Sequence, residues 1–537
     1  MEIPARGGDA QPPRRPRDRA DQREPQVPPP HLLQQVDGRV LDPGTALVVK
    51  GVRPRSTVYV GPRLTISRQG DATRQFDQLA LVADDLGWEL SSPDLDADVP
   101  EHRRRLGLVR VEIEVTDQRA TQAPDGWVLL QQARARFGVA AMRGVGLDHV
   151  VTVRTLAADP FHDGNPFHDG NPFHDGNPFH DGNPVGQGGS AAVASYALPG
   201  SGGHQPIAYV GPAPRRTPDE QFVGRRPVVA LLDTGCGAHP WLDPVVRCGL
   251  TLDGRPIGYD DAATDPERWP DQAGALDGGL DTLAGHGTFL AGLVHQACPD
   301  ADIVAWRIMH SEGPIVESDL VAALGDIAEL ARRHRDGEQG GHPIDVLNLS
   351  MGYYHETPED SLFDPTMYDI LRLLGECGTV VVCSAGNDAT ARPMFPAAFA
   401  PWLDGSGLTH PEADVVPVVS VGALNPNLTD ALFSNTGPWV RARAQGAAVL
   451  STTPPFQGGL EPIARTEAYQ HRRESIDPDD YTGRFALWSG TSFAAPLLAG
   501  RIAAALGEIP ADQAADGRIA GVRRGWKSVE GLTDLTP

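Results

Sequence analysis

Pro227-Val-Val-Ala-Leu-Leu-Asp233 is a continuous apolar run that ends in an aspartate, and Thr234 and Gly235 follow it. An apolar run of this length, closed by glycine, predicts a central strand of a parallel sheet that is buried on both faces. In open α/β sheets, functional groups gather at the carboxyl ends of the strands. Asp233 stands at such an end and is therefore a candidate functional residue.

The Asp233-Thr-Gly triplet also has a second interpretation, because aspartic proteases carry a similar triplet after a hydrophobic strand. Their mechanism needs two aspartates that share a proton. The sequence contains no second Asp-Thr-Gly or Asp-Ser-Gly. This alternative therefore requires a homodimer in which each chain supplies one aspartate.

His286 lies between two glycines, in Leu283-Ala-Gly-His-Gly-Thr-Phe-Leu-Ala-Gly-Leu-Val-His295. Glycines let other backbone and side chains approach the imidazole, and the small apolar residues after them predict a packed helix. Histidine is the commonest general base near neutral pH, because its unperturbed pKa is about 6.5. His286 is therefore a candidate general base.

Ser492 lies in Leu487-Trp-Ser-Gly-Thr-Ser-Phe-Ala-Ala-Pro496, which leads into an alanine-rich run that predicts a buried helix opening at Ser492. Backbone N–H groups and the helix dipole favour negative charge there, which suits a nucleophile whose attack creates an oxyanion. Pro496 is expected in the first turn, where a proline sacrifices no intrahelical hydrogen bond. Taken alone, Ser492 has the alternative role of a helix cap.

The order Asp233, His286, Ser492 resembles that of the subtilisin-like serine proteases, the subtilase family. Two further segments carry the resemblance. Asp345-Val-Leu-Asn-Leu-Ser-Met-Gly352 is similar to the family's strand that lines the substrate cleft, and Val380-Val-Val-Cys-Ser-Ala-Gly-Asn387 is similar to the strand that ends in the oxyanion-hole asparagine.

The resemblance implies an α/β fold, with a subtilisin-like three-layer domain built on a mostly parallel central sheet. It implies a serine endopeptidase that acts through an acyl-enzyme intermediate and needs no cofactor for its chemistry. Ser492 would attack the peptide carbonyl, His286 would transfer the proton, and Asp233 would hold the imidazolium. Asn387 and the Ser492 backbone N–H would stabilise the oxyanion.

The resemblance also implies a pocket for the side chain that precedes the scissile bond. Two strand segments are expected to form its walls, and the carboxylate of the following residue, mostly solvated, is expected at its rim. The residues are Ser350, Met351, Gly352, Ala385, Gly386 and Asp388. Asp388 has the alternative of being a solvated loop residue without substrate contact.

The chain is too long for one folding unit, because its 537 residues exceed the roughly 250–300 at which a single core stops growing. We expect a disordered segment, a small α+β domain, a linker, the protease domain and a tail. Their respective bounds are 1–30, 31–157, 158–204, 205–510 and 511–537.

The small α+β domain is predicted from Thr45-Ala-Leu-Val-Val-Lys50 and the alternating Leu108-Val-Arg-Val-Glu-Ile-Glu-Val115 as strands, and from Trp127 to Phe137 as a helix capped by Asp125. Two functions stay open for it. It is either a prodomain that binds its own protease domain or a domain that binds a regulator.

The linker contains Phe-His-Asp-Gly-Asn-Pro four times in tandem, over 161–184. The proline in each unit excludes helix and the glycine adds freedom, so we interpret the repeats as a tether. The alternative is metal binding by His162, His168, His174 and His180. In that case the ligands would not be preorganised.

Composition restricts compartment and partners. A net charge of −24 disfavours nucleic-acid binding, and no run of about 18 apolar residues predicts a membrane span. Residues 1–30 contain no apolar stretch typical of a secretory signal, and the five cysteines show no metal spacing. We therefore expect a cytoplasmic enzyme with reduced thiols. Acidic residues crowd 253–281, and structural calcium stays open.

The substrate is expected to be a protein or peptide. A protease with one dedicated substrate and a general degrader are both compatible with the sequence, although a cytoplasmic location favours the dedicated role. The alternative is a catalytically idle scaffold that serves as a binding module. The intact set of Asp233, His286, Asn387 and Ser492 argues against it.

Overall fold

The computed structural model of the protein describes residues 23–95, 99–115, 122–153, 193–274, 276–357, 366–507, 509–511 and 517–536. The repeats at 161–184 lie outside the described residues, so the tether and the metal site remain predictions.

An α+β unit comes first in the chain. Its helices are α1 (Pro30–Gln35), α2 (Ala72–Asp85), α3 (Glu101–Arg105) and α4 (Gly126–Phe137). Its strands are β1 (Gly38–Leu41), β2 (Thr57–Ser67), β3 (Trp88–Ser91), β4 (Leu108–Val115) and β5 (Val145–Val151). Strand β2 runs antiparallel to β1, β4 and β5, and the buried faces of sheet and helices form one hydrophobic cluster.

Two local predictions for this unit are confirmed and one is wrong. Strand β4 has the predicted bounds, and the Asp125 carboxylate caps α4 by accepting from Val128 N at 3.1 Å. No strand forms over 45–50. There the Trp127 indole N–H donates to the Leu47 carbonyl oxygen at 2.8 Å, so this backbone bonds to a side chain instead of a neighbouring strand.

The larger unit contains the remaining elements. Its helices are α5 (His286–Ala297), α6 (Glu317–Arg335), α7 (Thr366–Glu376), α8 (Thr491–Ala505) and α9 (Gly517–Val529). Its longer strands are β7 (Val228–Asp233), β8 (Val246–Cys248), β11 (Asp302–Arg307), β13 (Val346–Leu349), β14 (Val380–Ser384), β15 (Val419–Leu424) and β16 (Ala442–Gln445).

Shorter or peripheral strands complete this unit. They are β6 (Gln205–Pro206), β9 (Thr251–Leu252), β10 (Arg255–Pro256), β12 (Ile315–Val316), β17 (Val449–Thr452), β18 (Arg465–Ala468), β19 (His471–Glu474) and β20 (Phe485–Trp488). The Ser492 segment is anchored here, because β20 pairs with both β17 and β6.

Strand β7 is buried on both faces, as predicted. Val229 and Leu231 belong to one hydrophobic cluster, which also contains residues of α5 and α8. Val228, Ala230 and Leu232 point the other way, into a cluster with residues of α6 and α7. Alternate side chains of one strand thus enter two cores, which is the three-layer α/β architecture that the sequence predicts.

The central sheet places the ends of three neighbouring strands together. Its order is β16-β15-β14-β13-β7-β11-β8, and every pairing is parallel. The carboxyl ends of β7, β13 and β14 therefore lie side by side. Asp233 ends β7, Ser350 follows β13, and Ala385 follows β14.

The packed unit extends beyond the predicted boundary at residue 510. Helix α9 lies in the segment predicted as a tail, and it contributes Val522, Trp526 and Val529 to the cluster that contains α8. These three residues have helical spacing and form one apolar face. The segment is therefore part of the core.

The two units are joined through a shared sheet. Strand β12 of the larger unit pairs antiparallel with β5 of the smaller one. Beyond β5, Thr152 and Gly352 exchange backbone hydrogen bonds of 3.0 and 3.1 Å. No described helix is both long and apolar enough to cross a membrane.

The start of the described chain contradicts part of the predicted disordered segment. Residues 1–22 lie outside the description, but the Gln26 backbone N–H donates to Asp388 at 3.1 Å and the Arg392 guanidinium donates to Glu24 at 2.7 Å. Polar composition therefore did not prevent order, because buried polar groups of the larger unit bind this segment.

Candidate active site

Asp233 and His286 meet where a strand ends and a helix begins. His286 Nδ1 donates to Asp233 Oδ1 at 2.6 Å, and both side chains are buried. The Thr234 backbone N–H donates to the same oxygen at 2.9 Å. With the proton on Nδ1, the His286 Nε2 atom carries a lone pair and is able to accept a proton.

Gly287 makes the close approach of these two elements possible. A Cβ atom at this position would lie 2.1 Å from the Gly235 carbonyl oxygen and 3.0 Å from Thr234 Oγ1. The sequence-based interpretation of the glycines beside His286 as room for close contacts agrees with this geometry.

We expect Gly287→Ala to lower the free energy of unfolding by about 1–3 kcal/mol, because the backbone oxygen it meets must move. Urea denaturation measures this change. Gly483→Ala is the matched control, because a Cβ atom at Gly483 meets nothing within 4 Å. Equal midpoints for the two variants would contradict the close packing.

Ser492 is the second residue of α8 and exchanges hydrogen bonds with the loop after β13. Its Oγ donates to the Ser350 carbonyl oxygen at 3.2 Å, and Ser350 Oγ donates to the Ser492 carbonyl oxygen at 2.9 Å. His286 Nε2 has no hydrogen-bond partner among the described residues. The Ser492 hydroxyl is therefore directed at Ser350 and not at the His286 imidazole.

Pro496 does not lie in the first turn, contrary to the sequence-based expectation, because α8 already begins at Thr491. A proline inside a helix removes the hydrogen bond to the carbonyl four residues earlier, which here belongs to Ser492. The Ser350 hydroxyl donates to that carbonyl instead. The proline thus leaves an acceptor that joins the Ser492 segment to the loop after β13.

Asn387 is oriented by the residue that precedes Ser492. Its Oδ1 accepts from Thr491 N and from Thr491 Oγ1, both at 2.8 Å. With the oxygen of the amide held on this side, the Nδ2 group presents its N–H bonds on the other. Thr491 was not identified as a positioning residue from the sequence.

Asn435 holds the loop that carries Asn387 and was also missed as a site residue. Its Nδ2 donates to the Ala385 carbonyl oxygen at 2.8 Å, and its Oδ1 accepts from Asp388 N at 3.0 Å and Thr390 N at 3.2 Å. Gly386, between these bonds, has a φ of +99°, which favours glycine. One buried amide thus fixes both sides of the turn.

The predicted pocket residues separate into two groups. The backbones of Ser350, Gly352, Ala385 and Gly386 lie at the shared sheet edge next to Ser492 and Asn387. The Met351 side chain is fully buried in the hydrophobic cluster with α6 and α7, so it is not an exposed pocket wall.

Asp388 is not the solvated carboxylate that the sequence suggests, since it is only 2% exposed. Tyr354 Oη donates to its Oδ2 at 2.6 Å, and the Gln26 backbone N–H donates to its Oδ1. An aromatic hydroxyl and the N-terminal segment therefore take the place of water. Both sequence-based roles, at a pocket rim and in a solvated loop, assumed an exposed side chain and are wrong.

Trp488 packs against His286. The two rings are 5.6 Å apart and nearly perpendicular, at 87°. His204 stacks on the Trp488 indole, with a centroid distance of 3.8 Å and an interplanar angle of 8°. Burial lowers the pKa of His204 to about 3, so His204 is neutral and packs as an aromatic ring.

The acidic residues at 253–281 bind protein groups. Asp253 accepts from Arg333, Asp281 accepts from two backbone N–H groups, and Glu267 lies behind Asp233 and His286. Among the described residues, one group of three potential ligands converges, with its atoms within 4.8 Å of one another: His149, His355 and Glu356. Calcium prefers oxygen ligands, and this group offers two imidazoles.

Comparison with known proteins relates the chain to the subtilase family. The model of the subtilase family matches residues 224–524. The chain is 25% identical over 298 residues to Intracellular serine protease of Paenibacillus polymyxa, across 53% of this chain and 67% of that protein. It is 25% identical over 292 residues to Mycosin-4 of Mycobacterium tuberculosis, across 51% of this chain and 54% of that protein.

One solved structure is similar over most of the chain. The crystal structure of fervidolysin from Fervidobacterium pennivorans, a keratinolytic enzyme related to subtilisin, has 17% sequence identity and a TM-score of 0.43. The similarity covers 86% of this chain and 56% of that one.

Proposed function

Because the chain belongs to the subtilase family of serine proteases, we propose that Ser492, His286 and Asp233 are the catalytic triad of an endopeptidase. The observation that carries the proposal is the buried 2.6 Å hydrogen bond between His286 Nδ1 and Asp233 Oδ1. It fixes the imidazole with Nε2 as the proton acceptor, in the unit that also holds Ser492 at a helix start.

In the first step, the Ser492 hydroxyl turns from the Ser350 carbonyl, transfers its proton to His286 Nε2, and forms a bond with the peptide carbonyl carbon. Asp233 stabilises the resulting imidazolium through the Nδ1–H bond. His286 then gives the proton to the leaving amine, and an acyl-enzyme remains on Ser492. Water repeats the sequence and releases the acid.

We place the developing oxyanion between Asn387 Nδ2 and the Ser492 backbone N–H. Two features support this assignment: Thr491 holds the Asn387 amide by its oxygen, and the dipole of α8 favours negative charge at the start of this helix. Preorganised donors of this kind stabilise the transition state because they need no reorientation during the reaction.

We propose that the substrate binds as an extended strand along Gly352. The support is that Thr152 already pairs with Gly352 through two backbone hydrogen bonds, which is how a sheet edge accepts a peptide. The backbones of Ser350, Ala385 and Gly386 would line the adjacent pocket. Met351 and Asp388 are not included, because their side chains are buried elsewhere.

Of the two functions left open for the N-terminal unit, we propose that it binds its own protease domain. Thr152 occupies the backbone positions that a peptide would need, and ion pairs connect the two units. His102 Nε2 lies 2.8 Å from Asp326 Oδ1, and His149 lies between Glu317 at 2.6 Å and Glu356 at 2.7 Å. The full chain would therefore have restricted access to Ser492, which is 4% exposed.

His149 contacts two carboxylates of the larger unit. Burial alone would lower its pKa, but the Glu317 and Glu356 carboxylates outweigh burial and raise the pKa to about 10. The attraction of charged His149 to the two carboxylates stabilises docking fully below the ordinary histidine pKa near 6.5. This contribution is lost as pH rises through 10.

We expect His149→Leu to lower the free energy of unfolding by about 3–5 kcal/mol, because two buried carboxylates lose their partner. The measurement is urea denaturation of the full chain in the Ser492→Ala background, where self-cleavage is prevented. His31→Leu is the matched control, since His31 pairs with Glu312 at 3.7 Å while 58% exposed, and it should change stability by under about 1 kcal/mol. Similar midpoints for both variants would contradict the stabilisation of docking by His149.

We further propose a cytoplasmic protease with a restricted protein or peptide substrate. All five cysteines are unpaired, which suits a reducing compartment, and the occupied Gly352 edge suits selective rather than general access. Digestion of a panel of unrelated unfolded proteins separates the two substrate ranges. Broad digestion would indicate a general degrader.

A serine-directed fluorophosphonate probe tests the assignment of the nucleophile. Mass spectrometry of the labelled full chain should locate the adduct on Ser492. Peptide hydrolysis that survives complete labelling, or an adduct on another serine, would overturn the triad. Absence of both labelling and hydrolysis, in the wild-type chain and also in His149→Leu, where docking of the N-terminal unit is weakened, would favour the idle scaffold.

A further inference from the structure

A buried carboxylate that takes no part in the proposed proton transfers bonds to the residues that follow Asp233 and His286. Glu267 belongs to the acidic segment 253–281 and is 3% exposed. Its Oε1 accepts from Thr234 Oγ1 at 2.5 Å and from Gly287 N at 2.9 Å. One oxygen thus links the residue after Asp233 to the residue after His286.

The other oxygen of Glu267 bonds to the same helix start. Its Oε2 accepts from Thr288 Oγ1 at 2.5 Å, and Thr288 Oγ1 itself accepts from Gly237 N at 2.7 Å. The carboxylate therefore connects the loop after β7 with the first turn of α5 on two sides. No sequence pattern marks Glu267, because its partners lie 20 and 33 positions away.

The Thr234 hydroxyl has one hydrogen and two acceptors within reach. Glu267 Oε1 is 2.5 Å away, and Asp233 Oδ1 is 3.2 Å away. The hydroxyl oxygen also accepts from Gly287 N at 2.7 Å, which fixes its position but not its hydrogen. An ionised Glu267 takes that hydrogen and leaves the Asp233 oxygen to the His286 Nδ1–H and Thr234 N–H groups.

We propose that Glu267 is a positioning residue for peptide hydrolysis. By holding the Thr234 hydroxyl away from Asp233, Glu267 maintains the basicity of His286. The inference rests on the proposed triad. A third hydrogen bond to Asp233 would stabilise its charge locally and weaken its attraction for the imidazolium. His286 would then be a poorer base.

The charge of Glu267 changes close to neutral pH. Burial raises its pKa to about 7, although the bonds from Thr234 and Thr288 oppose the rise. The titratable and charged side chains around it, from all packed elements, are Asp233, Cys236, Cys248, Asp265, His286 and Arg307. Loss of the Glu267 charge and a turn of the Thr234 hydroxyl both make the charged imidazolium of His286 less favourable.

The test is the pH profile of peptide hydrolysis by the full chain carrying Glu267→Gln, which keeps the shape and removes the charge. We expect kcat to fall about 3–20-fold and the acid limb of kcat/KM to move down by about 0.5–1.5 pH units. KM should stay within about twofold, because Glu267 does not touch substrate. Asp277→Asn is the control, since Asp277 lies in the same segment and, among the described residues, its side chain bonds only to Gly279 N.

Thr234→Val separates the hydroxyl from the charge. Alone it should leave the acid limb within about 0.3 units, because the hydrogen of this hydroxyl goes to Glu267. In the Thr234→Val background, Glu267→Gln should lower kcat by less than about twofold, since only the loss of the Glu267 charge acts there and no hydroxyl remains to turn. A Thr234→Val acid limb displaced upward would show that the hydroxyl already bonds to Asp233, and would overturn the proposal even if Glu267→Gln does not fold.

The outcomes distinguish this inference from the proposed function. If the wild-type chain hydrolyses peptides and Glu267→Gln keeps the wild-type kcat and acid limb, only the role of Glu267 is lost. If neither the wild-type chain nor His149→Leu, where docking of the N-terminal unit is weakened, hydrolyses peptides or takes the fluorophosphonate, the triad assignment fails and the role of Glu267 fails with it.

Discussion

Ser492→Ala should lower kcat for peptide hydrolysis by about 10⁶-fold and abolish fluorophosphonate labelling, while the fold is retained. The magnitude is that of subtilisin's own serine and is borrowed from it. The physical reason is that the alanine side chain has no hydroxyl with which to form the acyl-enzyme. Loss of Ser492 Oγ removes one hydrogen bond, to the Ser350 carbonyl at 3.2 Å, so stability should change by about 1 kcal/mol.

The measurement is steady-state hydrolysis of a peptide library, with the melting temperature as a check on folding. Ser528→Ala is the matched control, because Ser528 is also buried and donates to the Gly525 carbonyl oxygen at 2.7 Å within its own helix. His286→Ala should cost a similar factor in rate, and the double variant should cost little more, since the triad acts as a unit. Wild-type turnover by Ser492→Ala would exclude this serine as the nucleophile.

The features that the sequence predicted well depend on local patterns. The apolar run before Asp233 is a strand that is buried on both faces, because its alternate side chains pack into two different hydrophobic clusters. The helices that begin at His286 and Thr491 follow from small apolar residues in succession. Parallel neighbours then bring their carboxyl ends together, so the order of motifs anticipated the site.

The features that the sequence did not predict depend on distant partners. Asp388 is buried by a bond from Gln26, which lies 362 positions away, and by a bond from Tyr354. Glu267 reaches Thr234 across 33 positions. The sequence does not distinguish a loop carboxylate that is exposed to solvent from one that is buried in a hydrogen-bond network. The difference depends on which distant residues the fold brings next to it.

The helix in the predicted tail is a different case, because a local signal existed. Val522, Trp526 and Val529 recur at intervals of four and three residues, which is typical of an amphipathic helix. The prediction of a tail over 511–537 did not take this spacing into account. In the structure this apolar face packs with α8, the helix that presents Ser492.

Asn387→Ala should lower kcat by about 10²–10³-fold with little change in KM. This is the loss of about 2.7–4 kcal/mol of transition-state stabilisation that subtilisin shows on removal of its oxyanion asparagine. The oxygen of the substrate gains charge only as the tetrahedral intermediate forms, so an amide N–H directed at it contributes mainly in the transition state. The geometry supports such a donor, since Thr491 N and Oγ1 both hold the Asn387 oxygen at 2.8 Å.

Steady-state kinetics of the full chain should therefore show the loss in kcat, and the fluorophosphonate should still label Ser492, although more slowly. Asn427→Ala is the matched control, because Asn427 is exposed and accepts from Thr429 Oγ1 at 2.8 Å in a loop. A rise in KM at constant kcat would instead mean that Asn387 binds the ground state. Since Asn387 and Ser492 are joined through Thr491, retained labelling also separates a lost oxyanion donor from a displaced nucleophile.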